Sequence, residues 1–161
     1  MTQPVQNPKP RPRTLSRVAA VQALYQAEQA AQSPEAVIDQ FIRHRLQAGG
    51  EADDGQLAAH IPLFAQIVRT ATDQQDTIDT LIANALPATW PMDRLDPVLR
   101  ALLRAGGAEL WMADGPPAKV VINEYLDVAH GFFDPEAARL ANGVLNRLAH
   151  LLRPAEFSPA A

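Results

Sequence analysis

A chain of 161 residues, 47% of them apolar, is long enough to bury one core of ordinary size without covalent staples. It contains no cysteine, which excludes disulfides, thiolate nucleophiles and cysteine-ligated zinc or iron–sulfur centres. The formal charge of −4 conceals an asymmetry, because residues 1–27 carry Lys9, Arg11, Arg13 and Arg17 and no acid, while the remainder holds 10 basic and 18 acidic residues. A basic arm on an acidic body suits contact with a polyanion; the competing reading is an ordinary solvated terminus.

Residues 1–13 hold four prolines and no apolar periodicity, so a flexible basic arm is expected there, with no secretory leader. Thr14 is the expected cap of a first helix burying Val18, Val21 and Leu24, with Tyr25 on the same pattern. Three later helices open on one device, a capping residue followed by proline: Ser33-Pro34, Asp96-Pro97 and Asp134-Pro135. The helix after Ser33 presents Val37, Ile38, Phe41, Ile42 and Leu46 and stops at Gly49-Gly50 in a polar loop reaching about Gln56. The apolar pattern from Phe64 to Leu86 fits one long helix or two. After Asp96, Leu99, Leu102, Leu103 and Leu110 form a buried face that ends at Asp114-Gly115-Pro116-Pro117. A further helix from about Lys119 buries Val121, Ile122, Tyr125 and Val128. The last runs from Pro135 to about Leu152 and buries Ala138, Ala141, Val144, Leu145 and Leu148. No run alternates with period two, so the expected fold class is all-α: one compact domain of six or seven helices over residues 14–153, with a disordered tail at 154–161.

Chemistry that the pattern does not support is as informative. No glycine cluster precedes a helix to cradle phosphates, and His44, His60, His130 and His150 stand alone without metal-ligand spacing. Asp93 and Asp96 are the nearest approach to paired carboxylates, and Asp96 is explained as a cap. The expectation is a soluble, cytoplasmic, non-enzymatic protein without cofactor, metal or membrane span. Two constellations suit binding instead. Arg13, Arg17, Gln22 and Tyr25 put charge, an amide and a ring on the first helix, as single-stranded RNA requires, although Tyr25 equally suits the core. On the last helix Arg139, Asn142, Asn146, Arg147, His150 and Arg153 form a polar stripe without an acid, which fits either RNA or plain solvent. Gly106-Gly107 and Gly143 weaken their helices, and a close approach of another helix is the expected reason. Asn123 and Glu124 either bond across helices or face water.

The stretches Ser16-Arg17, Ala20-Val21-Gln22-Ala23-Leu24-Tyr25-Gln26, Leu99-Arg100-Ala101-Leu102-Leu103-Arg104-Ala105, Ala108-Glu109-Leu110, Lys119-Val120-Val121-Ile122-Asn123-Glu124 and Ala141-Asn142-Gly143-Val144-Leu145-Asn146 resemble, in order and spacing, the successive signatures of the NusB family of transcription antitermination factors. The resemblance covers about residues 13–153. It implies an all-α fold of two packed helical bundles and binding of the boxA element of nascent ribosomal RNA together with ribosomal protein S10 (NusE), acting on RNA polymerase with other Nus factors. Carried over by position, it implies RNA contacts at Arg11, Arg13, Arg17, Gln22 and Tyr25, a second RNA-facing region at Glu136, Arg139 and Leu140, and S10 docking at Asp93, Arg94, Leu99 and Arg100. The chain departs from the family at Pro12, Thr14 and Leu15, where more arginines are often found, and at Leu140, where an aromatic is often found. At Ala108 an aromatic is also usual, and Trp111 is expected to fill that core volume. The alternative function is a helical protein–protein adaptor that binds no RNA.

Overall fold

The computed structural model describes residues 11–46 and 60–158, except for the side chains of 45 and 46. The described residues form seven α-helices and no strand: α1 (Pro12–Ala30), α2 (Pro34–Phe41), α3 (Ile61–Asp73), α4 (Gln75–Ala85), α5 (Pro97–Trp111), α6 (Ala118–Phe132) and α7 (Pro135–Leu152). One turn of π-helix, Ile42–Leu46, prolongs α2, and single 3-10 turns lie at Met92–Arg94 and Pro154–Glu156. Helices α1, α2 and α3 pack on one another, α4 to α7 form a second group, and α5 lies against members of both. The loop expected at 49–56 and the first ten residues of the arm lie outside the described residues.

The starts of the helices follow local chemistry. Ser33 Oγ accepts from Ala36 N at 3.2 Å, Asp96 Oδ1 from Val98 N and Leu99 N at 2.8 and 3.3 Å, and Asp134 Oδ1 from Ala137 N at 2.8 Å, each ahead of a proline whose missing donor costs nothing there. His60 is a cap of a less usual kind, its Nδ1 accepting from Leu63 N at 3.2 Å. Thr14 is not a cap. Helix α1 begins two residues earlier, at Pro12, because proline's fixed φ suits the first helical position and needs no donor. The apolar run from 64 to 86 is two helices, separated at Gln74, whose φ of −107° and ψ of 21° leave the α region.

The core is continuous across both groups. Phe64, Ile67, Ile78, Leu99, Leu102, Leu103, Tyr125, Leu145 and Leu148 are fully enclosed. Phe41 and Phe64 stack with ring centroids 5.8 Å apart, joining α2 to α3. Gly106 and Gly107 are where helices meet: a Cβ on Gly106 would lie 2.7 Å from Leu145 Cδ2, and one on Gly107 2.9 Å from Ile78 Cγ2. Gly143 differs, since a Cβ there meets nothing within 4 Å, so close approach does not account for it. Trp111 does not fill the volume beside Ala108 either. It sits on the last turn of α5 and is 38% exposed.

The end of the described chain is ordered rather than loose. Arg153 donates from Nε to Leu110 O (2.9 Å), from Nη1 to Pro116 O (2.9 Å) and from Nη2 to Met112 O (2.6 Å) and Glu109 O (3.0 Å). These bonds serve carbonyls of the last turn of α5, of its C-cap Met112 and of the turn that follows, where helical donors run out. Glu156, which also accepts from Arg153, caps α6 by accepting from Ala118 N at 2.9 Å, and Phe157 stacks on His150 at 3.9 Å. A tail disordered from 154 is thus corrected: the chain is held as far as Ser158 by this clamp.

Candidate nucleic-acid interface

The first turns of α1 split the expected arginines into two kinds. Arg11 and Arg13 are exposed, whereas Arg17 is 3% exposed. Arg17 forms a two-pronged pair with Glu109 of α5, Nε to Oε2 at 2.7 Å and Nη2 to Oε1 at 3.0 Å, and its Nη1 lies 3.4 Å from Glu124 Oε2 of α6. Thr14 Oγ1 donates to the same Glu124 oxygen at 3.1 Å. Glu124 therefore bonds across helices, while Asn123 faces solvent. Burial would favour the neutral guanidine, but the Glu109 hydrogen bond and charge outweigh it and hold the Arg17 pKa above its ordinary value. The neighbouring Tyr125 phenol is pushed well above its usual range, first by complete burial and then by the Glu109 charge. The expectation that Arg17 faces a ligand is corrected: it anchors α1 to α5 and α6. Ser16 Oγ, donating to His60 O at 2.8 Å, ties the same turn to α3.

The remaining candidates fall in separate places. Arg13 lines a hollow of about 160 Å³ with His60, Gln66 and Asp114, between the starts of α1 and α3 and the α5–α6 turn. Tyr25, 38% exposed, lines another of about 420 Å³ with Gln22, Gln26, Gln29 and Phe41. Twelve residues of helix place Tyr25 about 18 Å along α1 from Arg13. The amides beside it are ordered, Gln26 Nε2 donating to Gln40 Oε1 at 2.8 Å and Gln32 Oε1 at 3.1 Å. Glu136, Arg139 and Leu140 share a third hollow, of about 440 Å³, with Trp90 and Arg147. Sequence reasoning put Arg147 in the stripe but passed over Trp90, whose only signal was an aromatic between Pro87 and Pro91. In the stripe itself, Asn146 Nδ2 donates to Asn142 O at 2.9 Å and the His150 ring nitrogen Nδ1 lies 2.8 Å from Asn146 O. Arg153 leaves the stripe for its clamp on α5.

The region expected to dock a protein is also divided. Asp93 and Arg94 are exposed on the 3-10 turn, but Leu99 is 1% exposed and belongs to the core, because α5 turns that face inward. Arg100 is half-buried, donating to the carbonyls of Met92 and Leu95 at 3.2 Å each and pairing with Glu28 of α1. Arg104 also pairs with Glu28, and with Asp79 of α4 through Nε at 2.8 Å and Nη2 at 2.9 Å. The Arg100 hydrogen bond, helped by Arg104, holds the Glu28 carboxyl below the usual range. Glu28, Asp93, Arg100 and Arg104 surround a hollow of about 400 Å³. Neither Glu28 nor Asp79 was singled out from sequence, since their partners lie 72 and 25 residues away.

Known proteins supply the name for this arrangement. The model of the NusB family matches residues 14–150. Curated relatives called transcription antitermination protein NusB include one from Granulibacter bethesdensis, 63% identical over 94% of this chain and 96% of its own length, and one from Gluconobacter oxydans, 50% identical over 90% and 91%. Among solved structures, Thermotoga maritima NusB superposes with a TM-score of 0.73 at 24% identity, covering 94% of this chain and 99% of its own. A structure of the antitermination factors NusB and NusE in complex with double-stranded RNA superposes with a TM-score of 0.69 at 24% identity, covering 87% and 97%. Those two likenesses concern the fold, whereas the family match and the sequence identities concern descent, and by them this chain belongs to the NusB family.

Proposed function

We propose that the chain is a transcription antitermination factor that binds boxA-type single-stranded RNA of nascent ribosomal transcripts together with ribosomal protein S10 (NusE), and through them acts on RNA polymerase with other Nus factors. The observation that carries the reading is electrostatic. On a chain whose other arginines are largely tied into ion pairs, Arg11 and Arg13 at the start of α1 and Arg139 and Arg147 on α7 stand exposed without an acid partner among the described residues. Exposed guanidiniums free of carboxylates are available to phosphates. Tyr25 and Gln22 add a ring and an amide for an unstacked base. Asp93, Arg94 and Arg100 would meet S10 at the start of α5, with Glu28 and Arg104 beside them.

Arg17 has a different part in this reading. It positions the turn that displays Arg13 and is not itself a phosphate contact. The test is RNA affinity measured with and without saturating S10 across a salt series. Arg11 and Arg13 should contribute about −1.4 to the slope of log affinity against log salt, at about −0.7 per neutralised phosphate. S10 should raise RNA affinity, and RNA should raise S10 affinity by the same factor. Binding of S10 without measurable RNA binding under any of these conditions would replace this reading with that of a protein adaptor.

A further inference from the structure

The clamp at residues 153–158 reaches a part of the molecule far from α7. Arg153 holds four carbonyls, those of Glu109 and Leu110 at the end of α5 and of Met112 and Pro116 in the turn to α6. Glu156 holds Arg153 and the Ala118 amide at the start of α6, and first the Ala118 bond, then Arg153, keep its carboxyl below the usual range. The α5–α6 turn, residues 112–117, is thus fastened by the end of the chain. The same turn borders the first turn of α1, because Met112, Asp114, Gly115 and Pro116 line the hollow of about 160 Å³ that Arg13 and His60 also line. The Arg13 side of that hollow has its own fastening, His60 N donating to Pro12 O at 3.3 Å and Ser16 Oγ to His60 O at 2.8 Å. Arg13 and Asp114 carry opposite charges and are both exposed, yet neither has an ion pair or side-chain hydrogen bond among the described residues.

We propose that the clamp holds Asp114 away from Arg13 and so keeps Arg13 open to phosphate, which makes Arg153 a positioning residue for RNA binding. The inference rests on the RNA-binding reading of Arg13 and adds to it a control from the other end of the chain. Arg153 is not a phosphate contact itself, since its guanidinium is occupied by the four carbonyls and Glu156. An exposed carboxylate and guanidinium bordering one small hollow attract each other, and a pair between them would take the same donors of the fork that a phosphate needs. Without Arg153 and Glu156 the turn loses its fastening at Met112, Pro116 and Ala118, and the attraction draws Asp114 onto Arg13. Asp114 is then an internal rival of the ligand, held back while the clamp is closed.

The test is the affinity of the full chain for a boxA-type oligoribonucleotide across a salt series, with and without S10, beside thermal melts. Arg153→Gln should melt earlier, bind RNA about two- to five-fold more weakly, the range of an exposed ion pair, and show a salt slope flattened toward that of Arg13→Ala. Asp114→Ser alone should bind as the parent does. Asp114→Ser added to Arg153→Gln should restore the affinity and slope of the parent while the melting temperature stays low, a separation that loss of structure alone does not produce. Glu156→Ala changes an exposed side chain, removes the Ala118 cap and should repeat the pattern in smaller measure, so it carries the test if Arg153→Gln does not fold. Weak binding that persists after Asp114→Ser is added would overturn the proposal, as would parent-like binding in both clamp variants. A gain in Asp114→Ser alone as large as the loss in Arg153→Gln would also overturn it, because the carboxylate would then compete with the clamp closed. A parent chain that binds no RNA with or without S10 would overturn both this proposal and the reading beneath it.

Discussion

Arg13 and Arg17 lie on successive turns of one helix, carry the same side chain and stand in the same basic stretch, yet one is exposed and the other enclosed. The difference comes from what faces each turn. Opposite Arg17 are Glu109 on α5 and Glu124 on α6, and a planar fork meeting a carboxylate in two parallel bonds offsets much of the cost of taking both charges out of water. Arg13 shares its hollow with Asp114 but forms no ion pair among the described residues, and stays exposed. A cation on the first turns of a helix also gains nothing from the helix dipole, so only an outside partner, acid or phosphate, settles its place. The two residues thus differ in what they do for the fold: one fixes the direction of α1, the other stands exposed on its first turn.

The comparison breaks most easily at the buried member. Arg17→Ala leaves Glu109, fully enclosed, without its counter-charge, and a buried pair broken on one side costs about 3–5 kcal/mol. Urea titration should show a correspondingly lower midpoint, and Arg17→Met with Glu109→Leu should recover most of the loss by replacing both charges with apolar volume. A single variant that unfolds at the parent midpoint would mean that the pair contributes nothing.

The glycines offer a second contrast of the same form. In Gly106→Ala the new methyl would come 2.7 Å from Leu145 Cδ2 in a filled core, and overpacking of about 1–3 kcal/mol outweighs the gain in helix propensity of about 1 kcal/mol. In Gly143→Ala only the gain remains, so the protein should be stabilised by about 1 kcal/mol. Thermal melts of the two should move in opposite directions from the parent, and a shift of the same sign would show that these helices are not held at the distances described.

The acidic side of the stability profile tests the other junction. Hydrogen bonds from Arg100 and Arg104 hold the Glu28 carboxyl below its usual range. A depressed folded pKa means that the unfolded chain binds the proton more readily, so the stability Glu28 contributes is present above about pH 4.3 and is lost as pH falls through the lower folded value. Glu28→Gln should therefore melt earlier than the parent at neutral pH and show a shallower decline below pH 4. Parallel melting curves across that range would remove Glu28 from the junction of α1 with α5.

These contrasts also mark how far a sequence can be read. Ser33, Asp96 and Asp134 were legible as caps because a cap and its donors lie within three residues of each other. The helical faces were legible because their period is local. The fate of Arg17 was not, since Glu109 is 92 residues away and nothing in the arm points to it. A separation of 37 to 44 residues hid the Arg153 clamp in the same way, so a polar stripe absorbed that residue and the tail after it looked free. Gly106 and Gly143 read alike in sequence, both glycines inside helices, and only the neighbours separate them. Trp111 looked like compensation for Ala108 by proximity in sequence, but its place on the last turn of α5 directs it outward. Of the candidate interface, the residue types and the helices carrying them were legible, and the hollows that group them were not.

The smallest expected effect on the fold is the most telling for function. Arg13→Ala removes an exposed side chain with no ion pair among the described residues, and surface changes of that kind usually alter stability by less than about 0.5 kcal/mol. If Arg13 meets a phosphate, the same substitution removes one released counterion, and the salt slope of RNA binding should flatten by about 0.7 at every RNA sequence tested, because phosphate contacts position a strand without reading it. Tyr25→Ala should behave in the opposite way, weakening binding by about 1–3 kcal/mol through lost stacking and leaving the slope as it was. Measured together in one salt series with parallel melts, the two variants separate charge from stacking on α1. A parent-like slope in Arg13→Ala, with Arg17→Ala still destabilised, would keep the anchoring half of the comparison and move the phosphate contacts from the first turn of α1 to α7.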